Sequence, residues 1–348
     1  MKKIAIFRAL YLGDMLLAVP ALRAIRRRFP EAEITLIGLS WMEAFVRRFR
    51  CYVDRFVEFG GYPGIKEIEL VPERSECFIK EQKAYGYDVV IQMHGSGCVS
   101  NAVVAALGGK ETIGYYTDDC MDTLTRGLPY PDDQPEVCRN LGLAKLLGCT
   151  ELDPRLEFPL FPEDRCEAAH LLYQLPRADR PWIGIHTGAK MPVRRWPVEY
   201  FAQVADYFTE KFQAQIILTG STHEETTVQL VAEKMHIQPL NIAGKTSLGG
   251  LAAMIRELDL FISNDTGPAH VANAVDTPSV TIFGPADPQR WASLDVARHP
   301  FVRQAVACSP CGFWECPIDH RCLRWVPPQR VLEVAEELLL KGTVTCNV

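Results

Sequence analysis

No stretch of the chain stays apolar for the roughly 20 residues that a membrane-spanning helix needs. Positive charge is scarce as well: 37 Lys and Arg stand against 43 Asp and Glu, a formal net charge of −6. That balance excludes a general nucleic-acid binder, whose affinity rests on a basic surface. A secretory leader is missing too. Arg8 interrupts the first apolar run early, so the N-terminus reads as an opening strand. Twelve cysteines without a leader point to a reducing cytoplasm with most thiols free. The seven scattered between Cys51 and Cys166 read as small buried hydrophobes. What the chain does have is 348 residues at 48% hydrophobic content, enough for two cores.

The most informative stretch runs from Asp259 to Trp291, D-L-F-I-S-N-D-T-G-P-A-H-V-A-N-A-V-D-T-P-S-V-T-I-F-G-P-A-D-P-Q-R-W. Leu260–Ser263 is a short apolar strand ending in turn formers. Asn264 and Asp265 are N-cap residues, and Gly267 and Pro268 open a helix to about Val275. Strand Ser279–Phe283 and a stiff G-P-A-D-P loop follow. Such a helix start binds anions through unpaired N–H groups and the positive dipole end. Gly267 lets a ligand approach the backbone. Asp265, Thr266, Gly267 and His270 therefore form a candidate diphosphate site.

Upstream, strand Lys3–Phe7 leads into R-A-L-Y-L-G-D and a helix that Pro20 should kink. With strand Glu33–Ile37 this makes a βαβ unit and a parallel sheet. Asp14 reads either as a helix N-cap or as a carboxylate placed to take a proton. Arg23, Arg26, Arg27 and Arg28, with Arg47, Arg48 and Arg50, read as a solvated face that could also favour an anionic membrane. Residues 60–85 show no clear periodicity, and His94 lies in a loop after a further strand.

A second sheet begins at Trp182–His186 and runs into H-T-G-A-K-M-P-V-R-R-W-P. Thr187, Gly188 and Ala189 make a permissive loop, and Lys190, Arg194 and Arg195 bring cations suited to a diphosphate. After strand Gln215–Thr219, G-S-T-H-E-E-T offers Glu224, with Glu225 close behind. Either could meet a ribose hydroxyl or complement the helix dipole. Cys308, Cys311, Cys316 and Cys322, near His320, have metal-ligand spacing; a structural zinc or iron, free thiols and disulfides are all compatible.

The Asp259–Trp291 run resembles the signature of glycosyltransferase family 9, the ADP-heptose:lipopolysaccharide heptosyltransferases, and the resemblance extends over nearly the whole chain. It implies an α/β GT-B fold of two Rossmann-like domains facing across a cleft. The expected acceptor-binding domain is 1–178. The nucleotide-sugar domain is 179–348, with a Cys-rich segment 308–322 and a final helix 329–340 packing back toward the cleft. By the same resemblance Asp14, in a G-D before a helical Pro, is the catalytic base. Thr187 contacts the donor, and Glu224 meets its ribose. Arg194 stands where the family has a Lys on the phosphates, a departure that Lys190 could share. Arg139-Asn140 matches a recurrent pair. The implied reaction is inverting transfer of heptose from ADP-heptose to lipopolysaccharide inner core by a cytoplasmic enzyme, peripheral at the inner membrane and needing no cofactor. A nucleotide-sugar epimerase, a transferase acting on a protein acceptor and a non-catalytic nucleotide-sugar binder are the alternatives.

Overall fold

The computed structural model describes residues 1–117, 123–173, 175 and 180–345, with side chains as far as residue 341. The chain divides into two compact units, Met1–Arg155 and Leu156–Val348.

The first unit alternates strand and helix: β1 (Lys3–Phe7), α1 (Leu12–Leu16), α2 (Val19–Arg28), β2 (Glu33–Gly38), α3 (Met42–Arg48), β3 (Arg55–Glu58), α4 (Pro72–Tyr85), β4 (Val89–Gln92), α5 (Ser100–Ala106), β5 (Glu111–Tyr116), β6 (Arg126–Pro129) and α6 (Glu136–Leu146). Its six strands pair in parallel in the order β3-β2-β1-β4-β5-β6. Helices on both faces explain why β1 is unbroken apolar sequence, with Ile4, Ala5, Ile6 and Phe7 all 0% exposed. The strand order reverses between β1 and β4. In a doubly wound sheet the ligand crevice opens at the carboxyl ends of those two strands.

Three local expectations for this unit are corrected. The helix expected to kink at Pro20 is two helices. Pro20 lies in the first turn of α2, where its missing N–H has no partner to lose, so the break falls just ahead of it. Residues 60–85 contain a full helix, α4, which Gly86 closes at φ 74°. Only Ser75, Phe78 and Gln82 of α4 are buried, so a single large apolar residue carries its period. The basic run is partly committed inside the unit: Arg23 donates to the Asp153 and Arg155 carbonyls, Arg26 pairs with Asp54, and Arg27 with Glu151.

The second unit comprises α7 (Pro162–Leu172), β7 (Trp182–His186), α8 (Val198–Phe212), β8 (Gln215–Thr219), α9 (Glu225–Lys234), β9 (Leu240–Asn241), α10 (Leu248–Arg256), β10 (Leu260–Asn264), α11 (Gly267–Ala274), β11 (Ser279–Phe283), α12 (Pro288–Trp291), β12 (Phe301–Arg303), α13 (Arg321–Arg324) and α14 (Pro328–Thr345). Its parallel sheet runs β12-β11-β10-β7-β8-β9. Renumbered from β7, this is the order of the first sheet, so the reversal falls between β7 and β10. Val331, Ala335, Leu338 and Leu339 of α14 join this unit's apolar core.

The boundary expected at 178/179 lies outside the described residues. The helix preceding it, α7, goes with the second unit: the Glu167 carboxylate accepts from the Ser247 N–H and hydroxyl, each at 2.6 Å, where α10 begins. No helix among the described residues is long and apolar enough to cross a membrane.

Candidate functional site

In the second unit the site forms at the carboxyl ends of β7 and β10. Asn264, the last residue of β10, is fully buried. Its Nδ2 donates to the carbonyls of Thr187 at 2.8 Å and Gly188 at 3.3 Å, and its Oδ1 accepts from the Trp196 N–H at 2.9 Å. Asn264 is therefore not the expected helix cap; it joins the strand end to both ends of the loop between β7 and α8. The N-cap of α11 is Thr266, in extended conformation and without a side-chain cap bond. Asp265 is no cap either. Its carboxylate is buried and pairs with Arg194 at 2.9 Å. The amino end of α11, at Thr266, Gly267 and Pro268, is half-buried.

The loop after β7 supplies the other wall. The Thr187 hydroxyl oxygen is buried and has no hydrogen-bond partner among the described residues. A buried orphan of this kind marks a place where a ligand or water completes the bonding. Arg194 ends a single 3-10 turn, Pro192–Arg194, and its side chain keeps 31% exposure beyond the Asp265 contact. Lys190 is exposed on the same loop. Arg195 instead donates its Nε–H to the Ala189 carbonyl at 2.9 Å and so closes the loop on itself.

Glu224 and Glu225 separate cleanly. Glu224 Oε2 accepts from the Ser221 N–H and hydroxyl, both at 2.8 Å. It thus does the helix-start job, yet its carboxyl also lies against Gly188, where an added Cβ would sit 2.0 Å from Oε1. Glu225 turns toward Gly244 instead. Burial would raise the Glu224 pKa, but the Ser221 donors and the Arg195 charge bring it below the ordinary value; the His186 ring lies 3.8 Å away. Complete burial holds His186 in its neutral form, with Nδ1 bonded to the Thr219 hydroxyl at 2.9 Å.

His270 turns into the unit. It lines a small cavity with Asp265, Asn273, Ser279 and His299. Burial, then the Arg194 charge, lowers its pKa from 6.5 to about 4, and burial lowers that of His299 likewise to about 4. Between these values and 6.5 the unfolded chain binds more protons than the folded one. Stability is therefore full above about pH 6.5 and falls as pH drops toward 4. Melting temperature against pH should show that decline, and His299→Gln should make it shallower, leaving the parts due to His270 and His186; a flat profile between pH 7 and 4 would contradict the buried neutral rings.

In the first unit Asp14 is the third residue of α1, not its cap. Its Oδ2 accepts from the Tyr11 N–H at 3.4 Å. Arg8, which the sequence reading noted only as a break in an apolar run, is 1% exposed and organises the surroundings. Its Nε–H donates to the Asp14 carbonyl at 3.1 Å, and Nη2 lies 4.0 Å from Asp14 Oδ1 and 3.2 Å from Glu136 Oε1. Nη1 donates to Asn140 Oδ1 at 3.1 Å and to the Met93 carbonyl. Arg139 pairs with the other Glu136 oxygen at 3.3 Å, so the Arg139-Asn140 pair belongs to this network. The Ala9 N–H donates to His94 Nδ1 at 3.2 Å, and His94 Nε2 lies 3.6 Å from Glu67. The signal available in the sequence was a guanidinium at the end of a fully buried strand, which demands buried partners.

Of the alternatives open for Cys308, Cys311, Cys316 and Cys322, a structural metal finds no support in their arrangement. Among the described residues no three His, Cys, Asp or Glu side chains converge as ligands. Cys308 is exposed, Cys311 and Cys316 are half-buried and Cys322 is buried, all as free thiols. Burial, reinforced by Cys316, Cys308 and Cys311 nearby, pushes the Cys322 thiol up to about 11.

A sequence model of glycosyltransferase family 9 (heptosyltransferase) matches residues 77–321. The lipooligosaccharide heptosyltransferase 2 of Campylobacter jejuni is 30% identical over 344 residues, covering 97% of this chain and 98% of its own. Among solved structures, a family 9 glycosyl transferase from Veillonella parvula aligns with a TM-score of 0.81 at 24% identity, covering 98% of each chain. The E. coli ADP-heptose lipopolysaccharide heptosyltransferase II aligns at 0.74 and 22% identity, over 99% of this chain and 100% of that one. The fold class is thus the expected GT-B, built from two Rossmann-like parallel-sheet units.

Proposed function

The chain belongs to glycosyltransferase family 9, and from that premise we propose that it transfers heptose from ADP-heptose to a lipopolysaccharide inner-core acceptor with inversion. The observation that carries this reading is the Asn264 junction. One buried amide gathers the Thr187 loop, the Arg194 turn and the start of α11 at a single strand end. The donor's diphosphate is held there by the amino end of α11 at Thr266 and Gly267, by Arg194 and by Lys190. Asp265 aims the guanidinium, Thr187 contacts the donor through its orphan hydroxyl, and Glu224 takes the ribose. His270, neutral and inward, lines the same small cavity as Asp265.

Asp14 accepts the acceptor hydroxyl's proton as that oxygen bonds to the anomeric carbon and the bond to the diphosphate breaks. Negative charge develops on the leaving diphosphate, where the helix dipole and the cations are already oriented. These fixed charges replace a donor-binding metal, so the step needs no cofactor. The enzyme works at the inner membrane's cytoplasmic face, with the exposed Arg47 and Arg50 facing anionic lipid.

A panel of ADP- and UDP-sugars, read by thermal shift and by acceptor-dependent ADP release, tests the reading. ADP-heptose at about 100 times its dissociation constant should add about 2.7 kcal/mol of stability, and ADP release should require the lipid acceptor. Preference for a uridine nucleotide would remove the heptose assignment, and donor conversion without acceptor would make the protein an epimerase. Release driven by a polypeptide but not by lipid would transfer the reaction to a protein acceptor. Gly188→Ala should displace the Glu224 carboxylate and weaken ADP binding about tenfold, the cost of one charge-assisted hydrogen bond; unchanged calorimetric affinity would take Glu224 off the ribose.

A further inference from the structure

The Cys-rich segment, which the reaction leaves unused, is bonded both to the loop after β11 and to the turn that carries Arg194. From one side, the Ser309 hydroxyl donates to the Gly284 carbonyl at 2.8 Å and the Cys311 N–H to the Pro285 carbonyl at 2.9 Å, in the loop after β11. From the other, it holds both backbone groups of a single residue, Val193, in the Pro192–Arg194 turn. The Val193 N–H donates to the Trp314 carbonyl at 3.2 Å, and His320 Nε2 donates to the Val193 carbonyl at 2.6 Å. Val193 is 2% exposed, and Arg194 is the next residue. Downstream, the Val326 carbonyl accepts from the Trp196 indole at 3.0 Å, and Leu323 fills the space an added Cβ on Gly284 would need.

His320 has the backbone of a residue held in place for a purpose. Its φ of 57° is in the left-handed region, which a non-glycine side chain enters at a cost. Its N–H is anchored on Cys316 Sγ at 3.2 Å, while Cys322 is buried in the core two residues on. The cysteines shape the segment, and the segment delivers an imidazole N–H to the turn that carries Arg194.

We propose that segment 308–326 is a strap that sets the reach of Arg194 toward the donor's diphosphate, with His320 as a positioning residue for donor binding. The inference rests on the diphosphate reading of the site. It assigns the cysteine motif a mechanical task that needs neither metal nor redox change.

Calorimetric titration of the full chain with ADP tests it. His320→Ala should raise the dissociation constant about tenfold, the loss of one well-placed hydrogen bond to the turn, with KM for the acceptor unchanged. His320→Gln, whose amide N–H can reach the same carbonyl, should recover most of the affinity. The decisive comparison is a double-mutant cycle. On an Arg194→Ala background, His320→Ala should cost nothing further, and in the single variant the salt dependence of ADP binding should flatten because one cation is no longer aimed. Additive effects, or an unchanged dissociation constant in His320→Ala, would overturn the proposal. Should His320→Ala fail to fold, Cys316→Ala, which removes the acceptor for the His320 N–H, should show the same loss to a smaller degree, and full ADP affinity there would overturn it as well. If the wild-type chain binds no ADP, the diphosphate reading itself fails. If Arg194→Ala weakens binding while both strap variants bind normally, only the strap is wrong.

Discussion

Asp14→Asn is expected to lower kcat for transfer by about 10²- to 10⁴-fold, the usual contribution of a positioned general base, while ADP binds as before. The substitution isolates the proton. Asp14 shapes the start of α1 by accepting from the Tyr11 N–H, and an Asn carbonyl oxygen accepts that bond equally well. The Arg8 contact to the residue 14 backbone carbonyl also survives. What is lost is the group that takes up a proton, together with the 4.0 Å charge contact to Arg8. Steady-state transfer kinetics, with ADP affinity measured in parallel, give the answer; near-normal turnover would end the general-base assignment.

Arg8→Met should cost about 3–5 kcal/mol of stability, the penalty for stripping one partner from a buried ion pair. Glu136 has a side-chain exposure of 6% and shares its oxygens between Arg8 and Arg139. Without Arg8, the Glu136 carboxylate, Asn140 Oδ1 and the Met93 carbonyl all lose a donor inside the protein. Transfer should slow as well, because the guanidinium also fixes the Asp14 backbone. Arg8→Met combined with Glu136→Met should recover much of the stability, since a buried pair replaced by apolar groups is often neutral. Denaturant midpoints at constant slope measure both. A loss under about 1 kcal/mol in the single variant would mean that water reaches the site and the network is not truly dry.

The strands and most helices were legible because each is written locally. Apolar runs such as Ile183–Ile185 and Leu260–Ile262 are bounded by turn residues, and buried parallel strands need no alternation. The clustering of glycine and threonine after those strands, with cations after the first, marked the loops of the candidate site for the same reason. The network around Asp14 was not legible. Arg8 meets Glu136 and Asn140 from 128 and 132 residues away, and no local pattern encodes that pairing. Asn264 was misread because an Asn before a helix most often caps it. Here its amide has three better-placed partners in loops 68 to 77 residues distant. The cysteine spacing left three alternatives open, since ligand-like intervals can equally serve a segment whose thiols anchor backbone and core. Helix α4 escaped notice because a mostly exposed helix leaves almost no apolar stripe.

The Asn264 amide ties the loop after β7 to the end of β10. A recognition loop tethered to the tip of a central strand has few alternative shapes to explore before its ligand arrives. On the proposed reading, nucleotide capture in this unit begins from a preformed mould, with little ordering entropy to surrender on contact. Its enthalpy of association should come from bonds newly made to the ligand, with no folding of the rim added to it.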